Sequence, residues 1–248
     1  MTRRPVRFVT AALVLALGAA ACTTPAEGSR SATVVLFDVS NSTRDEAVRA
    51  RYDQTFGLVL EHLREAGGVL GADIIDSNPL VHGALPINET FERCTIGDNS
   101  LDCGSALDDQ QQDVSAEAAE ILQNASRGTD VFGAFELAEQ FFAAYPDRDE
   151  RTLVVLSDMV HSANGMHLGA VETWTEAEIS ALLQEAPSVD LDGVRVYVVG
   201  AGATSLVGMT PEQITGIQRF WTRWFARVGA TIVFYGGNLA RFPIGGPA

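Results

Sequence analysis

The chain has 248 residues, 46% of them hydrophobic, so it can bury the core of one large α/β domain or two small ones. Seventeen basic residues, all arginine, stand against 32 acidic ones for a net charge of −15. That balance, with no basic stripe, argues against nucleic acid and anionic membrane surfaces as partners and accounts for a solvated surface.

The first residues are expected to lie outside the fold. Arg3, Arg4 and Arg7 give a positive start, Phe8 to Leu17 an apolar stretch, and Ala19-Ala20-Ala21-Cys22 a small-residue exit into a cysteine. This is the pattern of a bacterial secretory signal over residues 1–21. Its end resembles a lipoprotein box, which implies lipid on Cys22, a tether over 22–31, and an exported, extracytoplasmic protein held at the membrane. Arg3-Arg4 hints at twin-arginine export, although Pro5-Val6 fits that motif poorly. Removing the leader takes three of the 17 basic residues and none of the 32 acids, so the mature chain is more acidic still. In an exported protein oxidation is the default, so Cys94 and Cys103 are expected to close a small disulfide ring. A metal pair is the weaker alternative, because no nearby His or further Cys completes a set.

Thr33 to Ser42 reads Thr-Val-Val-Leu-Phe-Asp-Val-Ser-Asn-Ser. A β-branched run of this kind suits a strand buried on both faces of a parallel sheet. Asp38, Ser40 and Ser42 then fall just past its C-terminal end, where ligands bind in open α/β sheets. Val48, Tyr52, Phe56, Val59 and Leu63 follow at helical spacing, and Gly67-Gly68 stops that helix. A short strand is predicted over Ala72 to Asp76. From Ser77 to Asp113 the pattern is poor, with at most an edge strand near Phe91 to Ile96.

Ser115 to Gln123 reads as helix, and Val131, Phe135, Ala138 and Phe142 mark another after the turn Gly128-Thr129-Asp130. Thr152 to Ser157 is a second apolar strand that also ends on a carboxylate, Asp158. The loop beyond it holds His161 and His167, read as surface residues. A helix over Thr175 to Glu185, a strand over Val194 to Gly200, a helix opened by Thr210-Pro211 with Gln213, and a strand over Ala230 to Tyr235 complete the pattern. Ile214, Ile217, Trp221, Trp224 and Val228 form the inner face of that last helix, with both tryptophans as core rather than ligand platform. Strands alternating with helices at this spacing mean βαβ units and a mostly parallel sheet in one domain, residues 32–243, before a tail over 244–248.

Three oxygen-rich points remain: Asp38-x-Ser40-x-Ser42, Thr129 and Asp158. Taken singly each fits an N-cap or turn as well as a ligand. Together, in this order and each after a strand or at a helix start, they resemble the von Willebrand factor A domain over roughly Ala32 to Tyr235. The resemblance implies a Rossmann-like three-layer sandwich with a mostly parallel central sheet flanked by helices. It also implies a metal-ion-dependent adhesion site for one Mg²⁺ or Mn²⁺. In that reading Ser40 and Ser42 ligate directly, Asp38 and Asp158 act mainly through waters, and Thr129 joins or leaves as the site changes state. Met159 departs from the family pattern, which has Gly there in many members.

Such a site takes a carboxylate from a protein partner or a small acid, because neutral hydroxyls in direct contact leave a cation incompletely neutralised. No nucleophile or general base stands out beside it, so binding rather than catalysis is expected. Two alternatives stay open: a haloacid-dehalogenase-like phosphohydrolase with Asp38 as nucleophile, or a metal-free structural domain of the cell envelope. The first lacks the second Asp at the position of Ser40 and any Lys to hold phosphate.

Overall fold

The structure is a computed structural model and describes residues 29–94, 99–202 and 208–243. The leader, Cys22 and the tail over 244–248 lie outside the described residues. Strand β1 (Ser31–Asp38) is buried along its whole length. Its side chains alternate between two cores, as a period of two requires. Ala32, Val34 and Leu36 join one cluster, and Val35 and Phe37 the other. Each fully buried Val, Leu or Phe is worth about 1.5–3 kcal/mol over an exposed one, so β1 anchors both layers.

Helix α1 (Glu46–Ala66) starts on the Asp45 carboxylate, which accepts the Ala47 N–H, and stops at Gly67, whose φ of 72° suits glycine. Strand β2 (Gly68–Ile75) begins at once, so it is longer and earlier than the predicted Ala72–Asp76. It pairs parallel to β1, and β3 (Ile87–Phe91) adds antiparallel to its outer side. The edge strand therefore ends at Phe91, where the predicted Phe91–Ile96 begins, and residues 95–98 lie outside the described residues. The largest correction is α2 (Ser100–Ile121), a 22-residue helix where only Ser115–Gln123 read as helical. Cys103 on its first turn is bonded to Cys94, with Cα atoms 6.0 Å apart, which joins the helix to the chain leaving β3. The expected disulfide is present.

Helix α3 (Val131–Ala144) leads to β4 (Glu150–Leu156), parallel to β1 on the side away from β2. A small hairpin, β5 (Ser162–Ala163) and β6 (Met166–His167), precedes α4 (Glu176–Glu185). Strand β7 (Arg195–Val199) pairs with β4, α5 (Pro211–Arg227) crosses over, and β8 (Thr231–Gly236) closes the sheet beside β7. Thr210 and Gln213 cap α5 reciprocally. Trp221 and Trp224 are fully buried against Phe132 and Phe135, so they are core as predicted.

The six-stranded sheet runs β3-β2-β1-β4-β7-β8, with β3 alone antiparallel. Helices α1 and α2 cover one face, and α3 and α5 the other. This is a Rossmann-like three-layer α/β sandwich. The chain leaves β1 for β2 on one side and returns as β4 on the other. The switch point lies between the C-terminal ends of β1 and β4, where a crevice opens in folds of this kind.

Candidate metal centre

Asp38 is the last residue of β1 and Asp158 follows β4, so neighbouring parallel strands deliver both carboxylates to the switch point. Both are buried, at 1% and 3% exposure. Asp38 is held on both oxygens: Oδ1 accepts the Ser40 N–H at 2.9 Å and Oδ2 the Ser157 hydroxyl at 2.7 Å. The Ser40 and Ser42 hydroxyls lie 2.9 Å apart on a short 3₁₀ turn. Thr43 steadies that turn by donating to the carbonyls of Asp38 (2.7 Å) and Ser40 (3.0 Å).

Asp158 is only half satisfied. Its Oδ1 accepts the Val160 N–H at 3.0 Å, whereas Oδ2 is buried without a hydrogen-bond partner. The Ser42 hydroxyl is near enough to favour the charged carboxylate but does not complete a bond to Oδ2. Burial raises the pKa of both acids, and the charge of Asp158 raises that of Asp38 further. Beneath them the Tyr52 hydroxyl of α1 is also buried and unpartnered, and its pKa is driven up by burial and then by the same two acids.

Thr129 arrives on the loop before α3. Ser126 ties that loop to the first site loop through its N–H to the Val39 carbonyl, 3.2 Å. Thr129 is locked to the hairpin, its N–H donating to Ser162 Oγ (3.2 Å) and its carbonyl accepting the Ser162 N–H (2.9 Å). Ser40, Ser42, Thr129 and Asp158 then share one cleft of about 200 Å³ with Asn41, Arg127, Val160, Ser162 and Met209. Four of the five predicted site residues line it, and Asp38 lies behind them. Asp158 also walls a second cavity of about 160 Å³ lined by Ile214, Ile217 and Tyr235 among others.

Among the described residues no group of three or more His, Cys, Asp or Glu is placed to hold a metal ion. The donors here are instead hydroxyls with two carboxylates, a set of hard oxygens that suits Mg²⁺ or Mn²⁺. The orphaned Asp158 oxygen and two buried acids without a cationic partner fit such an ion.

Several contributors escaped the sequence reading. Ser157 orders Asp38 and accepts the Met159 N–H at 2.8 Å. Met159 adopts φ 66°, the left-handed conformation that favours Gly and costs other residues about 1–2 kcal/mol. Its carbonyl accepts the Trp221 indole N–H at 2.9 Å, which holds the turn from α5. His161 is not a surface residue: it is 1% exposed and packs on Phe132. Its Nδ1 accepts the Val131 N–H (3.2 Å), so the proton sits on Nε2, facing the Ala163 carbonyl at 3.1 Å. Burial lowers its pKa, and it stays neutral as a brace between hairpin and α3. His167 is exposed, as expected.

Fold and site together define a class: a Rossmann-like α/β domain with an oxygen-lined cleft at its switch point. No family model and no curated protein matches the chain. Among solved structures, the pilus adhesin SpaC from Lactobacillus rhamnosus GG, in an open conformation, is similar at 14% identity and a TM-score of 0.45. The match covers 84% of this chain and spans 28% of the adhesin chain.

Proposed function

We propose that this is a divalent-metal-dependent binding module of the von Willebrand factor A type, taking a carboxylate from a protein partner in the bacterial cell envelope. One observation carries the reading: the buried, unpartnered Oδ2 of Asp158 beside a second buried acid, in a cleft lined with the hydroxyls of Ser40, Ser42 and Thr129. Mg²⁺ or Mn²⁺, when bound there, supplies Lewis acidity towards one further anionic oxygen. Ser40, Ser42 and Thr129 contribute neutral oxygens, and Asp38 and Asp158 the charge. Ser157 and the Ser40 N–H fix Asp38, which orients the loop without bringing its carboxylate into the cleft.

That same restraint weighs against a phosphohydrolase. A nucleophile needs a free oxygen directed at substrate, and both oxygens of Asp38 accept hydrogen bonds in a 1% exposed position. The proposed site therefore binds and does not catalyse. The Cys94–Cys103 bond accords with an oxidising compartment and supports export, with lipid on Cys22 as the proposed anchor.

Calorimetric titration with Mg²⁺ tests the metal. The expected result is saturable binding that is lost in Asp38→Ala and in Asp158→Ala while circular dichroism shows both folds intact. Equal affinity in all three proteins contradicts the site, and no binding in wild type favours a metal-free structural domain.

A further inference from the structure

The cleft has one cationic side chain on its lining, Arg127. It is exposed and, among the described residues, makes no hydrogen bond or ion pair. Arg30 meets Asp149, Arg64 meets Asp108, and Arg219 and Arg223 share Glu176, whereas Arg44, Arg93 and Arg241 are, among the described residues, as unpaired as Arg127 but do not line the cleft. The nearest acid along the chain, Asp130, is already used, its Oδ1 by the Gly133 N–H (3.0 Å) and its Oδ2 by Asn164 (2.8 Å).

The backbone that carries Arg127 is fixed on both sides. Ser126 is tied to Val39 and, through its hydroxyl, to the Gly128 carbonyl at 2.7 Å. Thr129 is clamped to Ser162 in both directions. A guanidinium with a preset base and a free head costs little to order when a ligand arrives. Its fork of donors matches a carboxylate better than a point charge does.

We propose that Arg127 receives a second carboxylate of the ligand, so that the site selects partners bearing two acidic groups over those bearing one. This rests on the reading of the cleft as a metal site for a carboxylate. The proposal also answers a physical difficulty, since a net charge of −15 repels acidic partners. A local cation beside the site offsets that repulsion within a Debye length of about 8 Å.

The test is calorimetry on the Mg²⁺-saturated protein with acetate, succinate and an N-acetylated, C-amidated Asp-Asp dipeptide, in wild type and Arg127→Gln. Wild type is expected to bind the diacids more tightly than acetate. Arg127→Gln is expected to weaken the diacids about tenfold while acetate and Mg²⁺ affinities stay unchanged. Succinate binding without the dipeptide points to a small diacid, and binding of both to an acidic protein segment. An equal loss for acetate and the diacids, no loss at all, or no diacid preference in wild type overturns the role of Arg127. Absence of Mg²⁺ binding in wild type overturns the metal reading instead, and the second-carboxylate role falls with it.

Discussion

Asp158 concentrates the cost of this site. A buried carboxylate oxygen without a donor, near a second buried acid, destabilises the folded protein unless a cation compensates. Asp158→Asn removes the charge and keeps an acceptor for the Val160 N–H. In chelator the variant is expected to gain about 1–2 kcal/mol in urea unfolding, and to lose the stabilisation that Mg²⁺ gives wild type. A variant less stable than wild type in chelator would show that the carboxylate is held comfortably without a cation. Little of this arrangement was legible beforehand. The sequence singled out Asp38, Ser40, Ser42, Thr129 and Asp158 as candidates, but not that Ser157 would occupy the second oxygen of Asp38. Nor does Met159 announce a left-handed turn, because the Trp221 indole that holds it is 62 residues away.

The strands and helices that position the site differ in how openly the sequence declares them. Residues 34–37 of β1 and 153–156 of β4 are continuous apolar runs because both faces are covered there, and such runs read directly. α2 does not, since its buried side is a thin row of Leu107, Val114 and Ala118 set among Asp, Gln and Ser. The 3₁₀ turn Pro79–His82 was also hidden, and it carries a titratable clamp. His82 Nδ1 lies 2.8 Å from the buried Asp73 and Nε2 3.4 Å from Asp76, whose carbonyl accepts the Asp130 N–H beside Thr129. Burial lowers the His82 pKa, but the hydrogen bond and charge of Asp73 and then the charge of Asp76 outweigh it, and the net shift is upward. A raised histidine pKa means a contribution present in full below about 6.5 and lost as pH climbs through the higher folded value. Amide exchange at Val81 and Gly83, corrected for the intrinsic rate, is expected to lose protection over that rise. His82→Gln should flatten the dependence, and an unchanged pH profile in that variant would remove His82 as its source.

For the molecule as a whole, the alternation of strands and helices implied a mostly parallel sheet, but only the resemblance to the von Willebrand factor A domain joined Asp38 to Asp158, because alternation does not set strand order. The order β3-β2-β1-β4-β7-β8 puts both at the switch point without any further assumption. The rim was out of reach, because Arg127 and Met209 come from loops and Ser162 from a two-residue hairpin strand, whose convergence depends on tertiary packing rather than periodicity. The central claim is a cation held in the cleft with one position open to a carboxylate. Water-proton relaxation of the Mn²⁺-loaded protein measures this directly, since each metal-bound water raises the relaxation rate. Addition of acetate is expected to lower that rate in wild type as its carboxylate replaces a bound water, with no corresponding change in Asp158→Ala. A rate that acetate leaves unchanged in Mn²⁺-loaded wild type, or that is no higher in wild type than in Asp158→Ala, would contradict it.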